Sequence, residues 1–140
     1  ELEPVARHGG EPQILPFDSE RDEITGIVEL IGKFEKSGYK SLGIICKTEL
    51  QAKHTWEKLK AYTNKVYFLS NQSSAFVNGV IIASAHMSKG LEFDEVIVPQ
   101  INDKNYCSEI DRSMLYVAVT RAMHKLTLTF SGDCTELIGK

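Results

Sequence analysis

The chain has 140 residues, 42% of them hydrophobic and 25% charged, and a net charge of −3. That length suits one domain around one core, and the balance is that of a water-soluble globular protein, which excludes whole-chain disorder, a collagen-like fibre and a disulfide-stapled miniprotein. No apolar run reaches the roughly 18 residues that a membrane span needs, and the start lacks the basic-then-apolar secretory signature, so a cytoplasmic protein with no membrane partner is expected. Because Glu1 stands where a start Met belongs, the sequence is read as either processed or an excised piece of something longer, the second being the expectation.

Cys46, Cys107 and Cys134 are dispersed, odd in number and without a C-x-x-C spacing, so neither a disulfide framework nor a zinc site is expected. The net charge hides a gradient: from 33 to 65 there are eight lysines against Glu35, Glu49 and Glu57, or +5, which leaves −8 for the remainder. Such a stretch fits either a solvated lysine-rich surface or a local phosphate-facing patch.

In chain order, residues 1–12 combine two prolines with Gly9 and Gly10 and show no periodicity, which reads as an extended lead-in to a domain over 13–140. The apolar run at 13–17 predicts a strand. Ser19 followed by Asp22 and Glu23 predicts a helix N-terminus with acidic residues in its first turn, and Ile24, Ile27, Val28, Ile31 and Phe34 share one helical face before Gly38. A buried strand at 42–46 follows, then a helix carried by Ala52, Trp56 and Leu59 with lysines on its other faces. Strands are predicted at 66–70, 80–85 and 95–99, a loop at 71–74, a helix at 109–122 and an alternating strand at 125–130. Continuous apolar strands interleaved with helices indicate an α/β domain with an open, mostly parallel sheet, helices on both faces and right-handed crossovers. In such sheets ligands gather beyond the carboxyl ends of the strands, so a site is expected there.

Neither G-x-x-x-x-G-K-[ST] nor G-x-G-x-x-G occurs, so the chain has no phosphate cradle of its own. His8, His54, His86 and His124 lack metal-ligand spacing and no Ser/His/Asp set stands out, which argues against an independent hydrolase. Two segments nonetheless concentrate reactive side chains. In 84–95, SAHMSKGLEFDE, Gly90 permits positive φ, Lys89 can point a charge at phosphate and Glu92 can accept from a sugar hydroxyl. The same residues also fit a plain polar loop closed by a glycine turn. In 111–125, DRSMLYVAVTRAMHK, Met114, Leu115, Ala118, Val119 and Ala122 form a buried arc opposite Arg112, Tyr116 and Thr120. Arg121 sits at the margin, where its fork of donors suits a phosphate. Equally, Arg121, His124 and Lys125 would complement the negative end of the helix dipole.

Taken together, SAHMSKGLEFDEVIVP resembles motif V, and RSMLYVAVTRAMHKLTL motif VI, of the UvrD/Rep-type superfamily 1 helicases, in the family's order. LGIICKTELQAKHTWEKL is similar, more loosely, to the strand and helix before them, so the resemblance runs over 13–131. The short loop between the motifs and the run YVAVTRAMHKL look nearest to the helicase IV-like branch, which includes RNA-polymerase-associated members.

The resemblance implies an α/β, RecA-like (P-loop NTPase-like) fold: the second, C-terminal motor domain of an ATP-dependent DNA helicase or translocase. It would close over ATP and Mg²⁺ held mainly by a first RecA-like domain of the same polypeptide, with single-stranded DNA crossing both and 3′ to 5′ movement. By the same resemblance, Arg121 is catalytic, an arginine finger reaching the γ-phosphate. Glu92 contacts the ribose, Lys89 and Gly90 line the nucleotide cleft, and Ser84 and His86 touch the DNA backbone. The fragment alone is expected to be inactive in ATP hydrolysis.

Departures accompany the match. The family usually has Thr where Ser84 stands and Arg where Lys47 stands. The Walker A, Walker B and aromatic-arginine motifs are missing, and about ten residues separate the strands at 66–70 and 80–85, where the family often inserts an accessory domain. Two other readings stand beside the motor domain: a nucleotide-gated factor domain that remodels RNA polymerase, and a RecA-like scaffold without motor activity.

Overall fold

The computed structural model describes residues 11–70 and 78–138. The loop expected at 71–74 and most of the 1–12 lead-in lie outside those residues. The elements are β1 (Gln13–Phe17), α1 (Glu20–Glu35), β2 (Ser41–Cys46), α2 (Glu49–Leu59), β3 (Val66–Phe68), β4 (Gly79–Ser84), β5 (Phe93–Val98), α3 (Glu109–Val119) and β6 (Ala122–Ser131). Each helix opens on a hydroxyl that satisfies an otherwise unpaired backbone N–H: Ser19 accepts from Asp22, Thr48 from Gln51 and Ser108 from Asp111. Gly38, two residues past the α1 cap, turns the chain with φ +87°.

The strands form one sheet in the order β1-β6-β5-β2-β4-β3, and every neighbouring pair is parallel. Ile27 and Ile31 of α1 and Ala52 and Leu59 of α2 bury one face against Leu42, Ile44, Ile82 and Ile97. Leu115, Ala118 and Val119 of α3 bury the other against Phe93, Val96, Leu126 and Leu128. With helices on both sides, the central strands can be apolar throughout, and every residue of β2 is buried.

Most boundaries shift by one or two residues, and those around β5, α3 and β6 shift most. The helix expected at 109–122 stops at Val119, and Ala122 already belongs to a strand, because it pairs with Phe93 while the Phe93 N–H donates to Arg121 O at 2.9 Å. Strand pairing there overrides the helix preference of Ala, Met and Lys. For the same reason β5 begins at Phe93 rather than 95. The alternation in β6 does not expose one face: Thr127 and Thr129 are fully buried in a strand flanked by β5 and β1. Glu23 departs too. Rather than facing solvent in the first turn of α1, it is buried, and its Oε2 accepts from the Thr129 hydroxyl (2.6 Å) and the Gln100 N–H (2.8 Å). Burial pushes the Glu23 carboxyl above its ordinary range against those two bonds, which pull it down.

The connection from β4 to β5 has no helix. Residues 85–92 run in turns across the face that carries α3, with Ala85 and Leu91 packed into that core. Below them Phe93 fills the space that a side chain at position 43 would need: a Cβ on Gly43 would come within 2.6 Å of the Phe93 ring. Gly43→Ala is therefore expected to lower stability by about 1–3 kcal/mol through overpacking, read from urea unfolding followed by Trp56 fluorescence. Unchanged stability would mean that Phe93 can move aside at no cost.

Candidate functional site

At the carboxyl edge of the sheet β2 and β4 end level, with Cys46 beside Ser84. At the amino edge β5 and β6 begin level, with Phe93 beside Ala122. The six residues of β5 separate the two edges, about 20 Å at 3.3 Å per residue. Both 85–92 and α3 leave the carboxyl edge and return to the amino edge over the same face. The expected site residues therefore divide. Ser84 and His86 lie at the carboxyl edge, whereas Glu92 and Arg121 lie at the amino edge, with Gly90 and Lys89 on the turn between. The candidate residues are thus not all gathered beyond the carboxyl ends, where a site is expected from the sequence.

At the amino edge the half-buried Arg121 closes the end of α3. Its Nε donates to Val117 O (3.1 Å), Nη1 to Leu91 O (3.3 Å) and Nη2 to the Thr120 hydroxyl (3.2 Å). All three acceptors are neutral, and among the described residues no carboxylate forms an ion pair with this guanidinium. Three of five donors are used, so two N–H groups and the full positive charge remain for an anion. The Leu91 contact brings Glu92, an exposed carboxylate, alongside. Gly90 adopts φ +85°, and a Cβ there would meet nothing within 4 Å, so the glycine answers a backbone requirement rather than a steric one. Lys89 is exposed. His124 and Lys125 do not complement the helix end as expected: His124 Nε2 lies 3.9 Å from Asp94, and Lys125 Nζ lies 3.7 Å from the buried Glu95. Burial raises the Glu95 carboxyl, and Lys125 opposes that shift.

At the carboxyl edge Ser84 is buried, and its hydroxyl accepts from the Met87 N–H at 3.1 Å, so it holds the turn that presents the exposed His86. Beside it stands a network that residue-type reasoning missed. Lys47, one step past β2, donates to Asp111 Oδ1 (3.1 Å) and to Asn105 O, and lies over the Tyr106 ring. Gln51 Nε2 donates to Asn105 Oδ1 at 2.7 Å, and Asn105 Nδ2 to Gln100 O at 3.0 Å. Gln100 itself holds φ +61°. The sequence signals for this network are Lys47's place directly after an apolar strand and its standing where the resembled family usually has Arg. The lysine-rich stretch is in large part internally engaged: Lys58 pairs with Glu20, Lys65 with Glu35, and Lys60 lies over Trp56.

Residues 79–129 match the family model of the UvrD-like helicase C-terminal domain. The chain is similar to DNA helicase II of Escherichia coli (strain K12), 33% identical in an alignment over 79 residues that covers 49% of this chain and 11% of that protein. It is also similar to F-box DNA helicase protein 1 of Schizosaccharomyces pombe, 41% identical in an alignment over 64 residues that covers 36% of this chain and 7% of that protein. The chain thus spans about a tenth of the length of the curated relatives it matches. Among solved structures it resembles the C-terminal domain of a possible DNA helicase from Lactobacillus plantarum WCFS1, with a TM-score of 0.83 and 29% identity over 92% of this chain and 79% of that one. The Sulfolobus solfataricus SWI2/SNF2 ATPase core shares the fold at a TM-score of 0.58 and 14% identity, over 84% of this chain and 27% of that one. The mostly parallel α/β sheet is thus that of helicase C-terminal domains of the RecA-like type.

The Lys47–Asp111 pair gives the carboxyl edge a pH signature. Burial would raise the Asp111 carboxyl, but the Cys107 N–H, the Lys47 ammonium and the Ser108 N–H outweigh it and hold the group at about 2. As pH falls the unfolded chain takes up this proton first, so the stabilisation is complete above the free Asp value of about 4 and is lost as pH falls through about 2. Asp111→Asn is expected to cost about 1 kcal/mol at pH 7, less than the full shift because solvent reaches the pair. The difference should vanish in urea titrations near pH 2. An equal difference at both pH values would assign the loss to packing.

Proposed function

We propose that this chain is the second RecA-like motor domain of a UvrD-type DNA helicase, with a nucleotide edge and a single-stranded DNA edge at opposite ends of its sheet. The observation that carries this reading is the division of site residues. Arg121, far from Glu92 in sequence, bonds the carbonyl of that residue's neighbour Leu91 at the amino edge, while the turn bearing His86 stands with Lys47 at the carboxyl edge. The match of residues 79–129 to the UvrD-like family model and the similarity to proteins named as DNA helicases support it. The short connection between β5 and α3 supports a place in the helicase IV-like branch.

In this reading ATP is the substrate, and its phosphates and Mg²⁺ are held mainly by the first motor domain of the same polypeptide. The residues present fit half of such a site. Arg121 offers a charge with neutral partners and two remaining N–H groups, and Glu92 offers an acceptor for a ribose hydroxyl. The sequence holds neither G-x-x-x-x-G-K-[ST] nor G-x-G-x-x-G, so the isolated chain is expected to hydrolyse no ATP. Arg121 acts by donating to phosphoryl oxygens as negative charge builds on them; such fingers are worth about 10³ to 10⁵ in rate. At the other edge the exposed His86 faces the DNA phosphates, and Ser84 holds its turn by accepting from the Met87 N–H. The hydrogen bond from Arg121 to Leu91 O ties the finger to the segment whose far end meets DNA.

The test is Arg121→Lys in the polypeptide carrying both motor domains. The fork of donors is lost while the charge is kept, so kcat for DNA-stimulated ATP hydrolysis is expected to fall by about 100-fold or more with thermal stability nearly unchanged. If Arg121 served only the helix dipole, lysine would cost about 0.3–1 kcal/mol of stability and leave kcat near normal, which would overturn the assignment.

A further inference from the structure

Arg121 is a long side chain on a short linker between α3 and β6, and an arginine of this kind loses catalytic value if it wanders among rotamers. What holds it is specific. Two of its three contacts are to backbone carbonyls, Val117 O and Leu91 O, which no substitution of their own residues removes. The third is the hydroxyl of Thr120, which is itself pinned: Oγ1 donates toward Tyr116 O (2.9 Å) and Val117 O (3.0 Å) while accepting from Arg121 Nη2 at 3.2 Å. A hydroxyl has one hydrogen to give and lone pairs to receive. With the hydrogen committed to the helix carbonyls, the lone pairs turn toward the guanidinium. Thr120 also caps α3 in an αR conformation, so its backbone is set by the helix end.

Resting on the motor-domain reading above, we propose that Thr120 is a positioning residue for Arg121. Its hydroxyl, aligned by the last carbonyls of α3, fixes one terminal nitrogen of the guanidinium so that the remaining N–H groups meet phosphate without reorganisation. A β-branched residue suits the role, because the restricted χ1 of threonine keeps the hydroxyl on the helix side. Serine keeps the hydroxyl, and valine keeps the shape while removing it.

Two measurements test this. In nitrogen-15 NMR of the 140-residue chain, exchange of the Arg121 Nη2–H with solvent is expected to be about tenfold faster in Thr120→Val than in the parent, the order of one charge-assisted hydrogen bond, and close to the parent in Thr120→Ser. In the polypeptide carrying both motor domains, Thr120→Val is expected to lower kcat for ATP hydrolysis by about tenfold with KM for ATP within about twofold. Thr120→Ser should restore most of that loss, and Thr120→Val should add little in an Arg121→Lys background, where the aligned donor is gone. If Thr120→Val does not fold, Thr120→Ala read by the same exchange measurement takes its place. Unchanged exchange and kcat in Thr120→Val, or serine failing as badly as valine, would overturn the proposal while leaving the finger intact. Full activity of Arg121→Lys would remove both it and the finger assignment on which it rests.

Discussion

The constraint on which the structure depends is that all five strand pairings are parallel. A parallel sheet cannot be closed by hairpins, so the chain must travel the full length of the sheet after every strand before the next can begin. Two of these return paths, 85–92 and α3, share one face and run the same way. Each starts among carboxyl-edge groups and finishes among amino-edge groups, so residues close in sequence end up far apart while distant ones meet. Ser84 and Glu92 are separated by the sheet, whereas Leu91 and Arg121 are in contact. In the proposed motor this geometry gives two ligands separate edges and joins the edges by short, packed segments.

The price of the arrangement is a polar layer inside the domain. On the face covered by α1, Glu23 is buried with Thr129 and Gln100, and Glu95 is buried beside Lys125. Both carboxyls are pushed upward by burial. Glu23 offsets its desolvation by binding the N–H of Gln100, whose positive φ lets the chain leave β5 sharply toward the loop that carries Asn105. That loop is where Lys47, Gln51 and Asp111 converge. A buried carboxyl on α1 thus helps to set the carboxyl edge. Buried pairs of this kind more often fix one arrangement than add net stability.

Much of this was legible in the residues, for identifiable reasons. The Ser19 cap and the spacing of Ile24, Ile27, Ile31 and Phe34 are local signals, and α1 follows them. The uniformly apolar runs at β2 and β4 reflect burial on both faces, so a parallel sheet could be read from them. Signals that depend on partners distant in sequence were not legible. The end of α3 is set by the pairing of Ala122 with Phe93, which local propensity does not see. Glu23 reads as an ordinary first-turn acid until Thr129 and Gln100 are placed beside it. Lys47 and Asp111 are 64 positions apart, so their pairing belongs to the fold alone. The candidate residues 84, 86, 92 and 121 stood out by type, but their division between two edges follows from topology.

The central claim is that nucleotide and DNA meet this domain at opposite edges. Hydrogen exchange measured on the polypeptide carrying both motor domains, with a non-hydrolysable ATP analogue or single-stranded DNA added separately, addresses it directly. The account predicts that the nucleotide slows exchange around Leu91 and Arg121, and that DNA slows it around Lys47 and His86. Slowing by the nucleotide at Lys47 and His86, with the amides around Leu91 and Arg121 untouched, would contradict it.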